Sequence, residues 1–176
     1  MSISIEVAFD PTSIAAVREL WQIVEARSPA TTLSDTITQP HVSLALLPDH
    51  LAPPPAEIFA EAAARTAPMT AHVAGIDLFP GGEGVVFLAV RTNDALAELH
   101  HSVHAALEAE ELRSNPLYVG MGWVPHCTLG LGVSPPLARE LTQTLRSPAS
   151  LRMTRLRCVH YGEQEFLWEL PLSGRP

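Results

Sequence analysis

The sequence predicts an α+β fold: a bilobal pseudo-two-fold duplication in which two antiparallel-rich sheets face a central cleft and helices pack outside. Two observations lead there. Pro40-His41-Val42-Ser43-Leu44 returns 85 residues later as Pro125-His126-Cys127-Thr128-Leu129, and the likeness extends to Leu46 and Leu131. Moreover, both copies fall in the same slot of two series of elements, each reading helix, strand, helix, strand, strand. A four-residue pattern recurs easily by chance; recurrence in matching slots points to duplication.

The elements follow in order. Ile3, Ile5, Val7 and Phe9 alternate with Ser4, Glu6 and Ala8, the period of a half-buried strand. Asp10-Pro11 supplies an N-cap and a proline at the first helical position, and Ile14, Val17, Leu20, Trp21 and Val24 form the apolar stripe of a helix to about Arg27. A Ser/Thr-rich loop over 28–39 leads to the first motif strand, about His41 to Leu47. Pro53-Pro54-Pro55 opens a second helix carrying Ile58, Phe59, Ala62 and Ala63, ended by Pro68. Strands are expected at about Thr70–Phe79 and Val85–Arg91, joined at Pro80-Gly81-Gly82. Asn93 or Asp94 then caps a helix with Leu96, Leu99, Val103 and Leu107 on one face. A loop over 112–122 enters the second motif strand, about Trp123 to Leu131. Ser134-Pro135-Pro136 starts a helix with Leu137, Leu141 and Leu145, stopped by Pro148. Strands at about Leu151–His160 and Glu165–Leu170 end the series, with Gly162 in the turn between them.

The chain of 176 residues, 47% hydrophobic and 17% charged, has material for one sizeable core, so a single domain over 1–176 is expected. Its lobes would come from roughly 1–92 and 93–176, an arrangement open to strand exchange between them. No apolar run approaches the roughly 20 residues that cross a bilayer, and Met1-Ser2-Ile3-Ser4 lacks the basic and apolar regions of a secretory signal. A cytoplasmic monomer without membrane contact is the expectation. Cys127 and Cys158 suggest neither a disulfide framework nor a metal site. All eleven basic residues are arginine and the formal charge is −8, which argues against a long nucleic acid duplex and for a small or terminal phosphate substrate.

In a strand, residues i and i+2 share a face about 6–7 Å apart. His41 and Ser43 would project together, as would His126 and Thr128. Two such strands facing one another assemble two imidazoles and two hydroxyls. Imidazoles titrate near neutrality, so one can accept a proton while the other donates one. Hydroxyls can hydrogen-bond phosphoryl oxygens where charge develops. No metal or cofactor is required.

The paired motifs Pro40-His41-Val42-Ser43-Leu44 and Pro125-His126-Cys127-Thr128-Leu129 resemble those of the 2H phosphoesterase superfamily, in particular the 2′-5′ RNA ligases and 2′,3′-cyclic phosphodiesterases. The resemblance covers the whole chain in element order. It implies a bilobal fold with a water-filled cleft, metal-independent catalysis by His41 and His126, and phosphate binding by Ser43 and Thr128. The expected reaction is opening of 2′,3′-cyclic phosphates or cleavage of 2′-5′ phosphodiester bonds. One departure stands out: many RNA-ligase-like members carry an arginine two residues beyond the second motif's leucine, where this chain has Leu131. That keeps alive a rival expectation, a non-catalytic module that binds nucleotides or phosphometabolites in the same cleft.

Other signals are weaker. Tyr118, Trp123 and Tyr161 are candidates to touch substrate. His100 and His104 share a helix face as zinc ligands do, but His101 stands where a metalloprotease would need glutamate, so a solvated face is expected instead. Arg152, Arg155 and Arg157 read as a solvated strand face or, alternatively, an anion-steering edge. His72 is assigned no role.

Overall fold

The computed structural model describes residues 2–28, 32–81 and 84–175. Residues 29–31 of the first loop, Gly82 of the expected hairpin turn, and Met1 lie outside the described residues. Among the described residues, seven strands and four α-helices follow the expected order: β1 Ser2–Phe9, α1 Pro11–Arg27, β2 His41–Pro48, α2 Ala60–Arg65, β3 Met69–Leu78, β4 Val86–Val90, α3 Asp94–Ala109, β5 His126–Gly130, α4 Pro135–Thr144, β6 Ser150–His160 and β7 Glu165–Pro171.

The starts of α1 and α3 have the capping chemistry that their sequence announced. Asp10 accepts from the Ser13 backbone N–H at 2.8 Å with Pro11 following, and Asn93 accepts from the Leu96 N–H at 2.8 Å. The second helix is shorter than expected. The segment after Pro53-Pro54-Pro55 first makes a 3-10 turn, Ala56–Phe59, before α2 begins. Trp168 of β7 holds this turn, donating to the Pro54 carbonyl at 2.8 Å and packing on Phe59 at 5.2 Å between ring centroids.

All the strand pairings are antiparallel, in the order β2-β1-β6-β3-β4-β5. β3 joins two groups: Met69–His72 pair with the start of β6, and beyond an irregularity at Val73–Gly75 the strand pairs with β4. β7 pairs with the remainder of β6. Pairing therefore crosses the chain's midpoint, with β6 and β7 beside β1 and β2, and β5 beside β3 and β4. The terminal strands of this order, β2 and β5, lie against each other without a shared ladder.

β1 corrects the reading of a half-buried strand. Every residue from Ile3 to Phe9 is buried. The apolar set faces the hydrophobic core, while Ser4 and Glu6 meet the polar cluster described below. Alternation here separates core from site rather than core from solvent. The helices cross over: α1 packs on β5 and α3 on β2.

Gly84 marks the tightest approach. It adopts φ +65°, the Val133 N–H donates to its carbonyl at 3.0 Å, and a Cβ there would stand 2.2 Å from the Val133 carbonyl oxygen. Gly84→Ala is expected to destabilise the protein by at least about 2 kcal/mol, since backbone on both sides must move. Urea unfolding would check this.

Candidate active site

The two motif strands enter the site by the same device. Each histidine follows a proline, and each Nδ1 lies 2.7 Å from the carbonyl two residues earlier, Gln39 for His41 and Val124 for His126. A carbonyl can only accept, so Nδ1 carries the hydrogen in both rings and Nε2 is the nitrogen that exchanges protons. Burial holds the His126 pKa below the ordinary value, and positive charge on His41 adds to that lowering.

The hydroxyl residues sit two positions on, sharing their histidine's face. Ser43 Oγ lies 3.2 Å from Ser4 Oγ of β1. The backbone at each hydroxyl residue is held by an indole: Trp123 Nε1–H donates to the Ser43 carbonyl at 2.9 Å, and Trp21 Nε1–H donates to the Thr128 carbonyl at 2.8 Å. Each clamp reaches its strand from a segment distant in sequence. Val42 and Cys127 point the other way, into the core, and burial pushes the Cys127 thiol up to about 12.

Beyond these repeats the surroundings diverge. His41 faces a buried charge cluster. Its Nε2 is 3.1 Å from Glu6 Oε2, and Glu6 has no solvent exposure. Arg157 Nε donates to the other carboxylate oxygen, while its Nη1 and Nη2 reach Gln39 Oε1 at 3.1 Å and the Gln39 carbonyl at 3.2 Å. The Tyr161 hydroxyl donates to Glu6 Oε2 at 2.9 Å, and the Tyr161 ring lies parallel-displaced from His41 at 6.1 Å. His126 instead packs in T-shaped contacts with two uncharged phenyl rings, Phe79 at 4.8 Å and Phe87 at 5.3 Å between centroids. Burial lowers both imidazole pKa values, but only His41 has a carboxylate opposing that shift.

The structure brings His41, Ser43, His126 and Thr128 onto the adjoining strands β2 and β5. Tyr161 lies beside His41, with its hydroxyl committed to Glu6 and its pKa raised by burial and by that carboxylate. Trp123 is occupied in packing, stacked on His100 at 3.8 Å. Tyr118 lends its carbonyl to His100 Nε2 at 2.8 Å.

Two expectations are overturned. The histidine face of α3 is not solvated: His100 is buried between Trp123 and the Tyr118 carbonyl, and His104 Nε2 bonds the Leu44 carbonyl at 3.1 Å. These rings tie α3 to β2 and to the loop before β5. Among the described residues no group of three or more His, Cys, Asp or Glu could hold a metal. Arg157 is neither solvated nor an open anion-steering group, being 2% exposed and paired with Glu6. Arg155 likewise donates to the Phe9 carbonyl at 3.1 Å and faces Glu169 at 3.5 Å. Sequence reasoning missed Glu6, Gln39, Arg157, Phe79 and Phe87. A carboxylate in the middle of a strand rich in Ile and Val was the one available hint. One surface recess, about 980 Å³ between α3 and the following loop, shares no residue with either motif. Among the described residues no helix is long and apolar enough to cross a membrane.

Residues 9–165 match the 2′-5′ RNA ligase superfamily. Solved structures share the fold: TT0787 of Thermus thermophilus superposes with TM-score 0.67 at 19% identity over 100% of both chains. Escherichia coli LigT bound to 3′-AMP gives 0.62 at 16% identity, over 98% of this chain and 97% of that one. LigT bound to phosphate gives 0.59 at 15% identity, with the same coverage. No curated protein matches in sequence.

The fold predicts its own acid sensitivity. His41, His100 and His126 all have pKa values held below the ordinary 6.5, burial being the largest cause. As pH falls through 6.5 the unfolded chain takes up these protons first, so stability present above that pH is lost progressively below it. Thermal unfolding between pH 8 and 5 should show the midpoint falling mainly in the acidic half.

With paired motifs meeting on adjoining strands and a sequence match spanning most of its length, the chain belongs to the 2′-5′ RNA ligase superfamily.

Proposed function

We propose that this protein is a metal-independent phosphoesterase acting on 2′,3′-cyclic phosphate or 2′-5′ phosphodiester bonds of nucleotides or RNA ends. The observation that carries the reading is the pairing of two histidines whose Nδ1–H groups are tied back to backbone carbonyls, so that both Nε2 atoms are set for proton exchange. In this reading one imidazole takes a proton from the attacking water or hydroxyl and the other protonates the departing oxygen. Ser43 and Thr128 hydrogen-bond the non-bridging oxygens. Membership of the superfamily supports the reaction class, and the 3′-AMP and phosphate complexes of LigT support a ligand of nucleotide size. In this reading Tyr161, which lies beside His41, meets the sugar or base, and Tyr118 and Trp123 are further candidates on the approach to β5.

Purified protein in chelator should turn over a nucleoside 2′,3′-cyclic phosphate or a 2′-5′ dinucleotide. His41→Ala and His126→Ala should each lower kcat/KM by about 10³-fold or more, whereas Ser43→Ala and Thr128→Ala should cost about 10²-fold. The pH–rate profile should be bell-shaped. Undiminished turnover in either histidine variant ends the assignment. Leu131, standing where an arginine is common, favours a second reading: a module that binds nucleotides in the same cleft without turnover. Saturable nucleotide affinity with no product across both substrate types would select it.

A further inference from the structure

The duplicated motifs make the two histidines look interchangeable, but the groups around them differ in kind. Facing His41 are Glu6 of β1, Arg157 of β6, Tyr161 after β6, the Gln39 carbonyl before β2, and His126 of β5. Facing His126 are the Val124 carbonyl, the Phe79 and Phe87 rings, and His41. The two phenyl rings bring no formal charge to His126 and no hydrogen-bond acceptor for its Nε2. A carboxylate 3.1 Å from the His41 Nε2 stabilises an imidazolium directly. Once His41 carries a proton, its charge further disfavours a second on His126.

The geometry points to Glu6 as a positioning residue that keeps the proton of the pair on His41, making His41 the donor and His126 the acceptor. Arg157 and Tyr161 set how strongly Glu6 acts. Arg157 holds one carboxylate oxygen and, through Gln39, the carbonyl that fixes the His41 ring. Tyr161 shares the very oxygen that faces His41. This division of labour rests on the phosphoesterase reading. In hydrolysis of a cyclic phosphate, His126 Nε2 takes a proton from water as its oxygen bonds to phosphorus. The bond from phosphorus to one ribose oxygen breaks, and that oxygen receives the Nε2 proton of His41. Solvent exchange then returns the pair to its starting state.

Titration of the imidazole ¹⁵N resonances tests the hold on the proton without requiring turnover. Glu6→Gln should lower the His41 midpoint by about one pH unit or more, with His126 unmoved or slightly raised. Tyr161→Phe should raise the His41 midpoint, because the shared oxygen loses a competing donor. A merely structural role would not produce opposite signs. Tyr161→Phe leaves the buried ion pair intact, so it decides the matter even if Glu6→Gln fails to fold. A His41 midpoint that is unmoved, or that shifts the same way in both variants, overturns the proposal.

The roles themselves are read with bis(p-nitrophenyl) phosphate, whose leaving group departs without a proton. The loss caused by His41→Ala should be about 10-fold or more smaller on this ester than on a cyclic phosphate, whereas His126→Ala should lose activity equally on both; the reverse pattern overturns the assignment. Wild-type protein that turns over neither this ester nor a cyclic nucleotide would sink the phosphoesterase reading instead, with the titration still deciding whether Glu6 holds the proton.

Discussion

A carboxylate with no exposure to water cannot be left unpaired, and Glu6 is such a group. Its partners come from three places in the chain: His41 at the start of β2, Arg157 in β6, and Tyr161 after β6. Satisfying Glu6 therefore registers β1 against both of its neighbours on the face that carries the site. Removing one member of such a cluster typically costs about 3–5 kcal/mol, mostly from the charge left behind. The same cluster reaches Gln39, whose carbonyl serves both Arg157 and the His41 ring. Ring orientation and strand register thus share one set of hydrogen bonds.

Around that anchor the duplication is visible in backbone devices and absent in side-chain chemistry. Both histidines tie Nδ1 to the carbonyl two residues back, and both hydroxyl residues offer their carbonyl to an indole. These contacts need only strand geometry and a donor of fixed direction, so a repeated fold can keep them. The second environment of each imidazole is supplied by strands that pair across the midpoint of the chain. One half of the site consequently meets charge, the other phenyl rings. Near two-fold geometry with unequal surroundings suits two groups that must hold opposite protonation states at one pH.

The arginines show how a strongly acidic chain manages its few cations. Arg152, Arg155 and Arg157 lie in the same strand, yet only Arg157 is engaged internally, with Glu6 and Gln39; Arg155 meets Glu169 and the Phe9 carbonyl while half-buried, and Arg152 is exposed. A run of arginines two or three apart reads as an exposed basic edge only while the opposing strand is unknown. The α3 histidines carry the same lesson: spacing placed His100 and His104 on one face, but packing against Trp123 and β2 decided that the face is interior.

The order of strands and helices, the capping of α1 and α3, and the sharing of a face by His41 with Ser43 and by His126 with Thr128 were legible because they depend on local periodicity and local hydrogen bonds. Membership of the superfamily was legible for the same reason, since the repeated motif is a local pattern. Glu6 read as a solvent-facing strand position because alternation tells two faces apart without saying what covers either. Its partner Arg157 lies 151 residues away, and no local rule links them. By itself, then, the sequence determined which elements form and which side chains share a face. Only the tertiary structure, by pairing β6 with β1 and laying β2 against β5, decided that one histidine would stand beside a buried carboxylate and the other against phenyl rings. Long-range strand pairing sets electrostatic environment, and periodicity carries no record of it.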